Sequence, residues 1–344
     1  MNFQKFVMLN KNKIQHEKDL IFLKWKKSVQ HQTSELNEII GLLEESNKGG
    51  KNIRGSLVCL GYEMYASKKT KDLYKIAAAY EILHTSLLIH DDIIDKSILR
   101  RGKKTLFQEL GGNHYGISQA ICLGDVGFFL AAKIINETTI PEKIKNTIIS
   151  QFSQTILNTI TGQMLDIKYS HNLSEITEKE VLKISELKTA QYTIAGPLLL
   201  GAMLGEANKF FFKQLTIFGE KLGIAFQLQD DLLGLFGDEK KLGKSVSSDI
   251  EEGKNTLLIV YARTHATKQQ RIAIDSFYGK GKITLKDHSQ IKQIIIETGA
   301  VEFVKQKIEQ YTKEASTMIP KLQVQKTLQN LLKDFIKYLL QRER

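Results

Sequence analysis

Residues 83–95 read LHTSLLIHDDIID. Their apolar positions recur at helical spacing, yet the stretch carries Asp91, Asp92 and Asp95 together with His84 and His90. Charge set into an apolar helix is costly unless something pairs with it. On a helix, residues four apart share a face, so Asp91 and Asp95 point the same way and Asp92 lies to one side. Carboxylates gathered like this repel one another and take up protons unless cations intervene. Hard oxygen donors suit Mg²⁺, which is commonly held by one or two carboxylates plus substrate phosphates.

The same pattern returns later as QDDLLG, residues 229–234, where Asp230 and Asp231 again sit in an apolar run. Two such helices, antiparallel across a cavity, would set their carboxylates face to face. Helical periodicity recurs along the whole chain. It predicts helices near 18–46, 52–68, 71–99, 115–136, 141–169, 178–204, 207–238, 254–265, 268–279, 286–313 and 321–342. The 344 residues include only three prolines, Pro141, Pro197 and Pro320, which permits long uninterrupted helices. No Pro/Ser/Gly linker divides the chain. The expectation is an all-α fold in one domain over 1–344: an antiparallel helical bundle around a deep central cavity.

Two cysteines, Cys59 and Cys122, stand far apart in apolar helical contexts, so neither a disulfide framework nor a thiolate metal site follows. The opening stretch lacks a continuous apolar run of the secretory kind, and the longest apolar stretch, TIAGPLLLGAMLG (193–205), is short and glycine-rich for a membrane span. A soluble, cytoplasmic protein is expected. The net charge is +11, but the lysines are scattered and form no dense stripe, which argues against nucleic acid. Residues 1–30 hold seven lysines against two acids, interleaved with Phe3, Phe6, Leu20, Ile21, Phe22, Leu23 and Trp25. This basic segment is expected to pack as a helix on the main body, with weak contact to a membrane surface as the alternative.

Basic residues accompany the acids. GGKNIRG (49–55) places Lys51 and Arg54 after a glycine turn, LRRGKKT (99–105) places Arg100 and Arg101 just past the first acids, LKTAQYT (187–193) supplies Lys188 and Thr189, and LGKSVSSD (242–249) supplies Lys244. Arginine's planar fork suits phosphate oxygens and lysine acts as a point charge. Acids for a metal and bases for phosphate imply a diphosphate chelated on one side. Two separate basic groups imply room for two diphosphates.

These motifs, in this order, resemble the trans-isoprenyl diphosphate synthases, or polyprenyl synthetases. GGKNIRG is similar to that family's GGKxxRP, HDDIIDKSILRRGKKT to its first aspartate-rich region, GQMLDI (162–167) to its GQxxD helix, and FQLQDDLLGLFGD with GKSVSSDIEEGKNTLL to its second. The resemblance implies the bundle fold, usually as a homodimer, and a prenyltransferase reaction. In that reaction an allylic diphosphate ionises with Mg²⁺ assistance, isopentenyl diphosphate attacks, and a proton leaves. Carried over by motif position, Asp91, Asp95 and Asp230 hold the metal ions, with Asp92 and Asp231 in support. Arg100, Lys188 and Lys244 grip the allylic diphosphate, with Thr189 and Gln227 nearby. Lys51, Arg54, His84 and Arg101 hold isopentenyl diphosphate. Asn52 stands where the family pattern has its first arginine and Gly55 where it has proline, while the two family-critical basic positions survive; Gly234 removes one carboxylate from the second acidic motif.

Product length depends on the cavity floor. The resemblance points to Leu87 and Ser86, four and five residues before Asp91. Serine there implies an open passage past a farnesyl-sized chain. Leu83 and Tyr80 lie further down, with Tyr80 about 16 Å below Asp91 along the axis at 1.5 Å per residue. Geranylgeranyl diphosphate is the expected product, with farnesyl or longer-chain products as alternatives. A class I terpene cyclase is disfavoured by the second basic group, an HD-type phosphohydrolase by the absence of matching histidines, and a silent partner subunit by retention of both Asp pairs.

Overall fold

The computed structural model describes residues 1–100, 102–170, 176–237, 248–279, 281 and 283–340. About 80% of the described residues are helical. Among the described residues the strands are two residues each, β1 Leu99–Arg100 and β2 Lys103–Lys104, paired antiparallel. The all-α expectation holds.

The helices gather into two compact units. The first comprises residues 1–153, 196–212 and 324–331. It contains α1 (Phe3–Gln30), α2 (Asn37–Ser46), α3 (Ile53–Tyr65), α4 (Leu73–Ile94), α5 (Leu106–Glu109), α6 (His114–Asn136) and α9 (Gly196–Leu204). At its heart is α4, packed against α6, α3 and α1. It is apolar nearly all round, the pattern of a buried helix, and Ile76 through Tyr80, Ile82 and Leu83 are fully enclosed. A first-turn Asn2 cap opens α1, whose Phe3, Phe6, Ile14 and Phe22 are buried. The sequence reading joined its second half to α2; the chain instead breaks at the polar TSEL stretch, residues 33–36.

Close approach decides how α4 meets α6. A Cβ on Gly127 would fall 1.9 Å from Ser86 Oγ, and one on Gly124 would fall 2.2 Å from the His90 ring. A Cβ at either position would collide with those side chains, so glycine gives Ser86 and His90 their room against α6. Among the described residues one helix, α6, has the length and apolar composition to cross a membrane, and one of its faces is buried in this packing.

The second unit comprises residues 154–195, 213–323 and 332–344. Its elements include α8 (Glu178–Ile184), a π-helical segment (Ser185–Ala195), α11 (Ser248–Glu251), α12 (Leu257–His265), α13 (Lys268–Phe277), α14 (Leu285–Glu297) and α15 (Ala300–Met318). A capping box between Thr177 and Glu180 starts α8. The core joins Val181, Ile184, Leu228, Leu232, Ile250, Leu258, Ile291, Ile295 and Val304. The stretch read as one helix over 286–313 is two, divided at Gly299, whose φ of 77° lies in the left-handed region. Three further helices begin in one unit and end in the other: α7 (Glu142–Ser170), α10 (Phe210–Phe236) and α16 (Lys326–Leu340).

Candidate active site

In the first unit the acids stand at the end of α4. The helix stops at Ile94, Asp95 is its capping residue, and its N–H donates to the Asp91 carbonyl at 2.8 Å. Lys96 then turns the chain through a left-handed φ of 53°. The short β1–β2 ribbon that follows returns Arg100 to the helix. Its Nε donates to Asp92 Oδ1 at 2.7 Å, and its Nη2 lies 2.6 Å from Asp92 and 3.5 Å from Asp91. Asp92 is buried, whereas Asp91 and Asp95 remain partly exposed. Burial pushes the Asp92 carboxyl above its usual range; Arg100 opposes this, and the neighbouring Asp91 and Asp95 charges reinforce it.

Deeper along α4, His84 Nε2 lies 3.0 Å from Arg54 Nη1 on α3. The start of α3 is tied to the same helix, since Gly55 N–H donates to Glu81 Oε1 at 2.6 Å. Lys51 is exposed in the preceding turn. Thus Arg54 and His84, assigned by resemblance to one substrate, are in contact. His90 turns away from this face: its ring stacks at a tilt on Phe128, 5.3 Å between centroids, and its Nε2 lies 3.3 Å from Asp125.

Below the acids, Leu87 is partly accessible while Leu83 and Tyr80 are enclosed. The Tyr80 ring meets Phe152 edge to face, centroids 6.1 Å apart. Ser86 is not an opening. It is fully buried, pressed on Gly127, with its hydroxyl donating to the Ile82 carbonyl at 3.0 Å. Its small size serves helix packing.

In the second unit the π segment carries Lys188 and Thr189. Glycines let its neighbours approach: a Cβ on Gly162 of α7 would meet Lys188 N at 2.4 Å, and one on Gly223 of α10 would meet Ala190 Cα at 2.4 Å. Lys188 Nζ pairs with Asp166 Oδ2 at 2.6 Å. The Thr189 hydroxyl donates to Gln227 Oε1 at 2.7 Å, and Gln227 Nε2 donates to Asp231 Oδ1 at 2.8 Å. Asp231 also borders a crevice with Leu235, Ile250, Lys254, Thr256 and Ile259. Asp230 is partly exposed beside it on α10. Arg101 and Lys244 lie outside the described residues, as does the side chain of Asp249. Asp166 is a residue the sequence reading passed over: GQMLDI was read as a motif, but its aspartate was given no role.

Among the described residues no three His, Cys, Asp or Glu side chains converge into a closed metal cage. The donors are nevertheless the right kind. Asp91 and Asp92 are close enough to share one guanidinium, and their oxygens suit a hard cation that fills its remaining positions with water and phosphate. The arrangement can therefore hold a divalent ion through carboxylates and set cations against a diphosphate.

Residues 36–297 match the polyprenyl synthetase family model. The chain is 32% identical over 300 residues to a geranylgeranyl diphosphate synthase of Saccharolobus solfataricus, covering 86% of this chain and 87% of that one. It is 32% identical over 285 residues to the octaprenyl diphosphate synthase of Escherichia coli, covering 80% of each. Among solved structures, it superposes with a TM-score of 0.92 and 27% identity on a geranylgeranyl pyrophosphate synthase of Corynebacterium glutamicum. That protein was crystallised with isoprenyl diphosphate and magnesium, and the match covers 99% of this chain and all of that one. With Asp pairs, basic partners and GGKNIRG turn all in the matched region, the chain belongs to the polyprenyl synthetase family and is a trans-prenyltransferase.

Proposed function

We propose that this enzyme joins isopentenyl diphosphate to an allylic diphosphate and releases geranylgeranyl diphosphate, acting as a single-domain cytoplasmic homodimer. The observation that carries this reading is the distribution of cations. In the first unit Arg100 rests on Asp91 and Asp92 and Arg54 meets His84; in the second Lys188 rests on Asp166. Cations set beside acids suit a diphosphate held through metal, and the Arg54–His84 contact suits a second diphosphate.

Asp91, Asp95 and Asp230 are the residues to hold Mg²⁺, with Asp92 and Asp231 supporting them. Bound there, the metal supplies Lewis acidity to the departing diphosphate. Arg100, Lys188 and Lys244 orient the allylic diphosphate and neutralise charge that builds on it as the carbon–oxygen bond lengthens. The Thr189–Gln227–Asp231 chain fixes the carboxylate of Asp231 in the second Asp pair. Lys51, Arg54, His84 and Arg101 seat isopentenyl diphosphate so that its double bond faces the reacting carbon. Tyr80, backed by Phe152, floors the chain passage below Leu83 and Leu87. The relatives named as geranylgeranyl diphosphate synthases support that product.

The test is incubation with Mg²⁺, labelled isopentenyl diphosphate and farnesyl diphosphate, followed by chromatography of the dephosphorylated products. Geranylgeraniol is the expected result. Longer alcohols would move the floor away from Tyr80, and no elongation with any allylic starter would overturn the reading.

A further inference from the structure

Lys18 of α1 is a buried lysine, 3% exposed, far from both Asp pairs in sequence. Its ammonium donates to the Asn47 carbonyl at 2.5 Å and to the Asn52 side-chain oxygen at 3.2 Å. These two residues are the ends of one turn. Asn47 is the capping residue at the C-terminus of α2, and Asn52 is the capping residue at the N-terminus of α3. Between them run Lys48, Gly49, Gly50 and Lys51.

The turn is rich in backbone freedom. Gly49 and Gly50 both have positive φ, 77° and 69°, and glycine is the residue with most backbone freedom to lose. Asn52 also sits in the left-handed region, at 49°, and its side chain makes no cap bond to α3. It is turned toward α1 instead, where its amide also reaches the Lys11 carbonyl at 3.5 Å. A cation at the carbonyl end of α2 is favoured by that helix's dipole. A single ammonium thus joins both ends of the glycine turn that carries Lys51 and leads into Arg54.

We propose that Lys18 is a positioning residue for isopentenyl diphosphate: it sets the direction of Lys51 and Arg54 from a helix that carries none of the assigned substrate contacts. The assignment rests on the reading of those two residues given under the proposed function. The basic N-terminal helix is then part of the substrate machinery rather than a packing element alone.

Steady-state rates of the full chain, varying each diphosphate in turn, test this. Lys18→Met keeps the stem and removes the ammonium. It is expected to raise KM for isopentenyl diphosphate about tenfold, short of the hundredfold that an ångström of misplacement can cost. KM for the allylic diphosphate and kcat stay within about twofold. Lys18→Arg, which keeps a cation and donors, restores most of the loss. Phe22→Ala, another buried position on α1, lowers Tm and leaves the ratio of the two KM values unchanged. If Lys18→Met does not fold, Asn52→Gly removes the far anchor while keeping a left-handed backbone, and a rise in the same KM is expected. The proposal is overturned if these variants raise both KM values together, raise neither, or if Phe22→Ala moves the ratio equally. A wild-type chain that fails to elongate would refute the functional reading instead, which the wild-type control reports separately.

Discussion

The Lys188 ammonium and the Asp166 carboxylate are 2.6 Å apart, each side chain about one-fifth exposed, joining the π segment to α7. The pair ties the ammonium of Lys188 to the aspartate of GQMLDI and so fixes its direction. Asp166→Ala should lower kcat about a hundredfold, because Lys188 loses the partner that holds it in place. KM for isopentenyl diphosphate should change little. Full kcat in that variant would remove Asp166 from the site.

Metal dependence is the sharpest check on the α4 acids. Chelation should abolish turnover and Mg²⁺ should restore it. The Asp91→Ala/Asp92→Ala variant should lose turnover by about 10³-fold while its helical circular dichroism stays unchanged. Retained turnover would discard the metal assignment.

Asp72 predicts the acid limb of the stability curve. Its carboxylate accepts from Thr139 N at 2.9 Å and Thr139 Oγ1 at 2.7 Å, and pairs with Lys75 at 3.0 Å. Burial pushes its pKa up, but these partners outweigh burial and hold it below the ordinary 3.8. A depressed folded pKa stabilises the protein above the unfolded value, and that contribution is lost as pH falls through the folded one. The Asp72 contribution to Tm should therefore be constant with pH near neutrality and be lost as pH falls below about 4. Asp72→Ala should cost about 1–3 kcal/mol at pH 7, because it leaves the Thr139 groups without their acceptor, and should flatten the acid limb. An unchanged acid limb would show that other groups control it.

The contact between Ser86 and Gly127 makes a paired prediction. Gly127→Ala should destabilise by about 1–3 kcal/mol through overpacking. Adding Ser86→Gly should recover part of that loss, since the two changes share one space. Additive losses would mean the helices separate rather than compete for volume.

Much of this was legible from residue pattern. Apolar spacing around Asp91 and Asp230 marked helices, and the paired acids with nearby arginines and lysines marked the chemistry. The contact between Arg54 and His84 follows the grouping assigned to them. What escaped notice was local backbone geometry. The helix read over 71–99 ends at Ile94 because Asp95 caps it and Lys96 turns left-handed; a two-residue ribbon is too short to leave a strand signal. Gly299 marked a helix break, but flanking apolar residues masked it. Lys18 looked like one more solvated lysine, because sequence spacing does not reveal which face of α1 is buried. A serine before the first acids suggested space, and its neighbour Gly127 filled that space from a different helix.

The π segment leaves a mark on how this chain can change. A π turn carries one residue more than the α turn it interrupts and is uncommon away from functional sites. Deleting one residue within 185–195 would let α8 run on in ordinary register toward α9, swinging Lys188 and Thr189 by about 100° relative to the residues beyond. Such a deletion should raise Tm while silencing turnover, and a fully active deletion variant would refute it. Thermal selection and catalytic selection would then act in opposite directions on one codon, and survival of the extra residue would record which of them prevailed in this lineage.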